Sequence, residues 1–533
     1  MVVNEADYVA QVLAPFGPAV GSGKPVSLAV PEDLDAAVAE LAGVFAVSVP
    51  RQDCPEGTVS VPVARLADFK PVNIARACPW LARVGAARGY LDAAARDGQA
   101  PDVVAAGLRT AFPDLPVDFT LPAAAAAPAG PPGEAAGSAA AIDAILGMVA
   151  MPEAGARPAP GAAGPAAWKA ALEGLTGRVM AAIFADSAFR AAEAAWRGLR
   201  LIVQQAGADS PLRLRLCPAV AATLPEALER LVREPEAAPP NLILADVALD
   251  AAAARLDTWA ALADTADRLL TPTAVSLSPA FFHLAGFGDV SRIGYPARAL
   301  DDAAYAKWRK LAAGPGGGWL AALFGRFVLR APYGPGNPAR GAAVSEPEAL
   351  WGSPVWALGA AVAKSLARSG WPHRLGIADG VVLENLDVVS DTGGARAVES
   401  LLADDQLLDF AAAGLTPLAG RAGGDKAFFR QVACVDRSPF GPRLVLNRIL
   451  SFFFRSRNDD ACREALAASG PEALAALLTK RLALFFQATG LEAPVDLALA
   501  ATARGDGAQL AIGFTPPPVL GLGPRRLEFD FAW

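Results

Sequence analysis

Histidine is nearly absent: His283 and His373 are the only two in 533 residues. A multi-histidine metal centre is excluded, and acid–base chemistry run by histidine has little to work with. Cysteine is sparse too. Cys54, Cys78, Cys217, Cys434 and Cys462 lie far apart, are odd in number and form no CxxC pair. That pattern argues for a reducing compartment rather than a disulfide framework. An excess of positive charge is missing as well: 47 Lys and Arg stand against 54 Asp and Glu, a formal net charge of −7. Without a basic block to neutralise phosphates, no nucleic-acid partner is expected. Nor does any uncharged stretch read as a membrane span. The longest, residues 269–288, holds Pro272, Pro279, His283 and several hydroxyls. The acidic opening MVVNEADYVAQVLAPFG has no basic region ahead of an apolar one. The expectation is a cytoplasmic protein with no membrane contact.

What is present is apolar. Hydrophobic residues make up 53% and charged residues 19%, which excludes a wholly disordered chain and leaves enough material for a core. Residues 1–120 read as a small α/β domain, with strands near 26–30, 44–49 and 59–63 and helices near 31–43, 73–95 and 100–112. Residues 121–167 are a Pro/Ala/Gly-rich linker interrupted by one short apolar helix at 140–151. Residues 168–440 form the main body. A long, interrupted helical region at 168–205 leads into alternating strands (212–217, 241–249, 273–277) and helices (223–233, 256–270), the pattern of an α/β layer. Later elements are a strand at 326–330 and helices at 356–368 and 399–413. Residues 441–533 close with two strong helices, a strand pair around 504–507 and a strictly alternating end, RLEFDFAW. The fold class expected is α/β (α+β), a body with a mixed sheet and flanking helices plus the small N-terminal α/β domain.

The chemistry motifs fail one by one. GSGKP at 21–25 lacks the earlier glycine of a phosphate loop, and Pro25 stands where a Ser or Thr should hold magnesium. GPGGGW at 314–319 lacks the lysine and does not fit GxGxxG. The doublets Asp301/Asp302, Asp404/Asp405 and Asp459/Asp460 complete no cation loop and suit helix caps. No serine sits in a GxSxG elbow. Asp246 ends the apolar strand ILADV, where a catalytic carboxylate can stand. No nucleophile or base accompanies it, so a structural role is favoured. An enzyme with a cryptic carboxylate site near Asp246 would need a pocket converging there with a second carboxylate. Neither a cofactor nor a metal is expected.

Six segments, in order, carry a resemblance. FRAAEAAWRGLRLIV (189–203) resembles the FQxLExxWRGLxxLV signature of the large sheath subunit of type VI secretion systems, the TssC family. It contains Glu193, Trp196, Arg197 and Gly198. NLILADVALD (241–250) is similar to the family's strand ending in GDY, with Asp246 in place and Val247 instead of Tyr. LADTADRLLTPTAVSLSPAFF (262–282) is similar to AxxAxAPFIAxASPxxF. FGRFVLRAPYGP (324–335) resembles PRFLLRLPYG and supplies Arg326, Arg330, Pro332, Tyr333 and Gly334, with Gly325 where the family has Pro. LWGSPVWALGAAVAKSLARSGW (350–371) resembles LWGNAAWAxAxxLxxSFxxxGW and supplies Trp351, Gly352 and Trp371. LLDFAAAGLTPLAGRAGGDKAFF (407–429) is similar to ELxxxGFxPLxxxxxxxxAxFF. Residues 64–91 resemble the small sheath subunit, TssB, through Asp68, Phe69, Pro71, Pro79, Leu81 and Arg88.

The resemblance implies a non-enzymatic structural subunit of a contractile sheath, able to polymerise alone or with a small subunit around an inner tube protein. Its other partner would be the baseplate. It also implies that the AAA+ recycling ATPase, ClpV, engages a helix before the body. Residues 140–151 stand in that place, with Ile142, Ile145 and Leu146 as the contacts. A divergent paralogue acting as cap or baseplate adaptor is the alternative within the family.

Overall fold

The computed structural model describes residues 7–18, 26–29, 34–121, 164–207, 210–233, 238–250, 253–340, 344–391, 394–505 and 507–533. The candidate docking helix at 140–151, with Ile142, Ile145 and Leu146, lies outside the described residues.

The strands are β1 (Tyr8–Ala14), β2 (Val26–Ala29), β3 (Val44–Ser48), β4 (Thr58–Pro62), β5 (Leu212–Pro218), β6 (Leu242–Leu249), β7 (Thr273–Leu277), β8 (Leu320–Phe324), β9 (Phe327–Arg330), β10 (Leu350–Gly352), β11 (Val389–Asp391), β12 (Gly394–Arg396), β13 (Leu415–Gly420), β14 (Ala427–Phe429), β15 (Ala498–Arg504), β16 (Gly507–Phe514) and β17 (Leu527–Ala532). Eight of them form one sheet in the order β14-β13-β8-β7-β6-β1-β5-β2. The six from β13 to β5 are parallel, and β14 and β2 are antiparallel edges. This is the expected α/β class with a mixed sheet.

Both faces of the sheet are covered, so its central strands β6, β7 and β8 are mostly apolar rather than alternating. Successive side chains of β6 still divide by period two. Leu242 and Leu244 enter one core, Ile243 and Ala245 the other. The first core is roofed by α5 (Pro165–Ala185), α6 (Ser187–Ala206) and α10 (Pro354–Ser369). These follow α1 (Leu34–Leu41), α2 (Pro71–Ala77), α3 (Pro79–Arg96) and α4 (Pro101–Ala111) in the chain. The second core lies under α7 (Leu224–Arg233), α8 (Ala253–Arg268), α9 (Ala306–Ala312) and α11 (Asp404–Ala412).

Local sequence accounts for several boundaries. The helix expected at 73–95 is two helices, because Pro79 lacks an N–H and restarts the chain as the first-turn residue of α3. The interruption in the 168–205 region falls at Asp186, whose carboxylate accepts the Phe189 N–H at 2.8 Å and caps α6. The helix expected from residue 399 begins only at Asp404, since the backbone of Glu399 pairs with Arg326 instead.

Residues 34–121 are not detached from the body. Phe45 and Phe69 pack their rings against Phe189 of α6, at 5.4 and 5.2 Å between centroids. Lys169–Asp92, Arg88–Glu173 and Arg178–Asp53 bridge to α5. The C-terminal part has its own core, formed by α12 (Phe440–Arg457), α13 (Asp460–Ala488, kinked at Gly470–Pro471) and the antiparallel sheet β15-β16-β17. No described helix is long and apolar enough to cross a membrane.

Candidate functional site

The motif residues gather into three places. The first is a buried ion cluster beneath α6. Arg330, at the end of β9, donates from Nε to Glu193 Oε1 at 2.9 Å and from Nη2 to Glu193 Oε2 at 3.2 Å. The same guanidinium reaches Glu346 through Nη2 at 3.0 Å and through Nη1. Arg197, one helical turn after Glu193, donates to Glu193 Oε1 at 2.8 Å. Arg190 closes the set on Glu346 Oε1 at 3.1 Å. Glu193 is fully buried and Arg330 and Glu346 nearly so. Burial alone would raise the Glu193 carboxyl. The charges of Arg197 and Arg330, with their hydrogen bonds, outweigh it and hold the group below the usual carboxylate range. Tyr333 stacks on this cluster: Arg330 lies 4.2 Å from its ring centre, and its N–H donates to Glu346 at 2.9 Å. Gly334 follows in a turn closed by paired backbone bonds with Asn337; Pro332, half-buried, connects that turn to β9.

The second place is a tryptophan knot. Trp196 donates from Nε1 to the Phe16 carbonyl at 2.8 Å and packs on the Phe16 ring. Gly198 lies flat against Trp356: a Cβ there would sit 2.3 Å from Trp356 Cγ. Trp356 in turn donates to Asp246 Oδ2 at 2.8 Å. Burial raises the Asp246 carboxyl to about 6, against hydrogen bonds from Trp356 and Ser353.

The third place is the junction of β9 and β10. Arg326 forks onto Glu399 with bonds of 2.7 and 2.8 Å, and its guanidinium lies 5.5 Å from the Trp351 ring centre. Gly352 permits the close approach of Leu329, 2.7 Å from where a Cβ would be. Trp371 stands apart from all three. It packs among Phe485, Phe486 and Arg448 in the C-terminal core.

Glu346, Arg190, Glu399 and Trp356 complete these arrangements and were not singled out from sequence. A signal existed for one of them. Glu346 is an acidic residue ahead of LWGS, and Arg330 needed a buried carboxylate. The acidic doublets do act as caps where hydrogen bonds are seen: Asp302 accepts from Ala304 at 2.8 Å and Asp459 from Cys462 at 3.2 Å. Asp246 does line a cavity, with Arg326, Trp351 and Ser353, but among the described residues no second carboxylate lines it. The described residues hold no group of three or more His, Cys, Asp or Glu suited to a metal ion.

Residues 234–436 match the family model VipB, described as the EvpB/VC_A0108 tail sheath N-terminal domain. The chain is similar to a contractile tail sheath. The matched stretch holds Asp246 and the motif residues from Arg326 to Trp371; Glu193, Trp196, Arg197 and Gly198 precede it. Among solved structures, a chain of the anti-feeding prophage baseplate aligns at 12% identity over 63% of this chain and 76% of its own, with a TM-score of 0.30. A chain of the anti-feeding prophage helical sheath in its contracted state gives 12%, 63%, 77% and 0.30. Both superpositions are too loose to inform the fold. No curated protein matches the chain.

Proposed function

We propose that this chain is a structural subunit of a type VI contractile sheath, assembling around an inner tube and contracting to drive effector delivery. The observation that carries the reading is the tail-sheath match over residues 234–436. The internal ion cluster suits it. A subunit that repacks its interfaces during contraction needs a body that does not deform, and buried, mutually satisfied charges tie α6, β9 and the loop before β10 into one unit. Every member of the cluster is paired within the chain, so it acts as an internal brace. In this reading the TssB-like residues 1–120 are fused to a TssC-like body, and residues 140–151 are the segment offered to a recycling ATPase such as ClpV. The reading assigns no catalytic step to the chain.

Negative-stain microscopy of the purified protein, alone and co-expressed with a sheath small subunit, tests the proposal. Long hollow tubes from the chain alone support a self-sufficient fused subunit. Tubes only with the partner support a large subunit carrying an added domain. Discrete particles in both preparations refute the polymer and leave a cap or baseplate adaptor.

A further inference from the structure

The chain's strand order reverses beside β1. From β1 it goes outward to β5 and then returns to β6 on the other side. In open parallel sheets the crevice beyond the carboxyl ends of strands at such a point is where ligands are taken up. Here that crevice is a real cavity of about 400 Å³, lined at the end of β1 by Pro15, at the end of β6 by Asp246 and Ala248, and at the end of β7 by Ser276 and Ser278. The pairing of β6 with β7 is irregular at this point. Ala245 faces Val275 but Ala248 faces Ser276, so Asp246 and Val247 are extra on β6. Such a bulge re-aims a side chain at a strand end.

Among the described residues Asp246 is hydrogen-bonded by neutral groups, Trp356 Nε1 and the Ser353 hydroxyl, and by no cation. Arg326 is the other titratable group lining the space, and its charge is met by Glu399, to which Nε and Nη2 donate. The Ser278 hydroxyl is buried with no hydrogen-bond partner among the described residues. A carboxylate with no cation bonded to it therefore lines the cavity, an unused hydroxyl is buried in its wall, and the remaining wall includes Ala191, Ala194 and Phe287. We infer that this cavity binds a primary alkylammonium group, its nitrogen donating to Asp246 and its methylenes lying along the alanine and phenylalanine wall. A bare metal ion fits less well, since one carboxylate and hydroxyls make a poor donor set for a hard cation. The same chemistry is offered by a free diamine and by a lysine side chain of another chain. The proposal does not depend on sheath assembly.

The test is calorimetric titration of the full chain with 1,5-diaminopentane, using 1,5-pentanediol as the neutral isostere. Saturable binding of the diamine and none of the diol is expected. Asp246→Asn should weaken it by about ten- to a hundredfold, the loss of one charge-assisted hydrogen bond. Lowering the pH from 7.5 to 5 should weaken it by about tenfold as the carboxyl is neutralised. Ala194→Leu, which fills the cavity and leaves Asp246 in place, should abolish binding and decides the matter if Asp246→Asn does not fold. Tighter binding of an acetyl-Gly-Lys-Gly-amide peptide than of the diamine assigns the site to a protein side chain, and the reverse assigns it to a free amine. No saturable binding, equal binding of the diol, or an affinity unchanged in either variant overturns the inference.

Discussion

Replacing Arg330 with Met leaves two carboxylates, Glu193 and Glu346, buried without their central cation. Methionine restores most of the volume, so the cost is electrostatic rather than a cavity. Breaking a buried pair from one side costs about 3–5 kcal/mol. Arg197 and Arg190 each retain one contact, to Glu193 and Glu346 respectively, and hold the loss toward the lower end. The pH dependence follows from the direction of the Glu193 shift. Its carboxyl is held below the ordinary range in the folded protein. The stabilisation it contributes is therefore fully present above the unfolded carboxylate pKa and is lost as the pH falls through the folded value. In the variant burial dominates and the carboxyls take up protons more readily. The gap between wild type and Arg330→Met should be widest at pH 7.5 and narrow toward pH 4.5. Guanidinium denaturation followed by circular dichroism at both pH values measures it. A gap under about 0.5 kcal/mol at pH 7.5, or one that does not change with pH, would refute the brace. The double variant Glu193→Gln/Arg330→Met should recover part of the loss.

Gly198→Ala places a methyl group inside the Trp356 ring contact and should cost about 1–3 kcal/mol by overpacking; denaturation midpoints check it, and a neutral result means α6 and α10 can separate. Asp246→Asn should stabilise the fold at pH 7.5. Raising a carboxyl from 3.8 to about 6 disfavours the folded state by up to about 3 kcal/mol above that value, and the amide oxygen can still accept from Trp356. The advantage should shrink as the pH falls from 7 toward 4, because the folded protein then binds the proton; an advantage that grows in acid contradicts the assignment. Dividing the chain in two within 122–163 should leave a complex that co-purifies. Residues 164–533 expressed without their N-terminal partner should be insoluble, because β1 is buried along its whole length. A soluble, folded 164–533 fragment would count against this.

Much of the architecture was readable because periodicity carries it. LRLRLC alternates and is β5; NLILADVAL is apolar but for Asn241 and Asp246 because β6 is covered on both faces. YVAQVLA is β1, a strand that its local pattern does not announce. A seven-residue apolar run cannot say which strands it will join, and its neighbours β5 and β6 lie about two hundred residues later. The candidate sites divided in the same way. Local pairs such as Glu193 and Arg197 sit one helical turn apart and are visible in sequence. Glu346 and Glu399 are contributed by loops, and which carboxylate meets which arginine is decided by tertiary packing alone. Leu320–Phe324 follows directly on the glycine turn ending in GGGW, which hides the strand in the local pattern.

The place of β1 also constrains how the molecule can form. It precedes every other described strand in the chain, yet it fills a gap between strands completed only at residues 218 and 249. Its bonding partners are joined to it by a polar network. Asn241 accepts the Val9 N–H at 2.8 Å and an Arg455 N–H at 2.7 Å, and donates to Asn447 at 3.1 Å and to Ser451 at 2.8 Å. Three distant segments must therefore meet before any of these buried groups is satisfied. Contacts of such sequence separation form late, because the closure entropy precedes the reward. A covalent tether through residues 122–163 raises the effective concentration of the N-terminal segment at that step. The tether should matter more for the yield and rate of assembly than for final stability. Refolding of the intact chain should be independent of protein concentration, and that of the two-piece version should slow on dilution. Equal concentration dependence in both would mean that β1 inserts after the body has already closed by some other route.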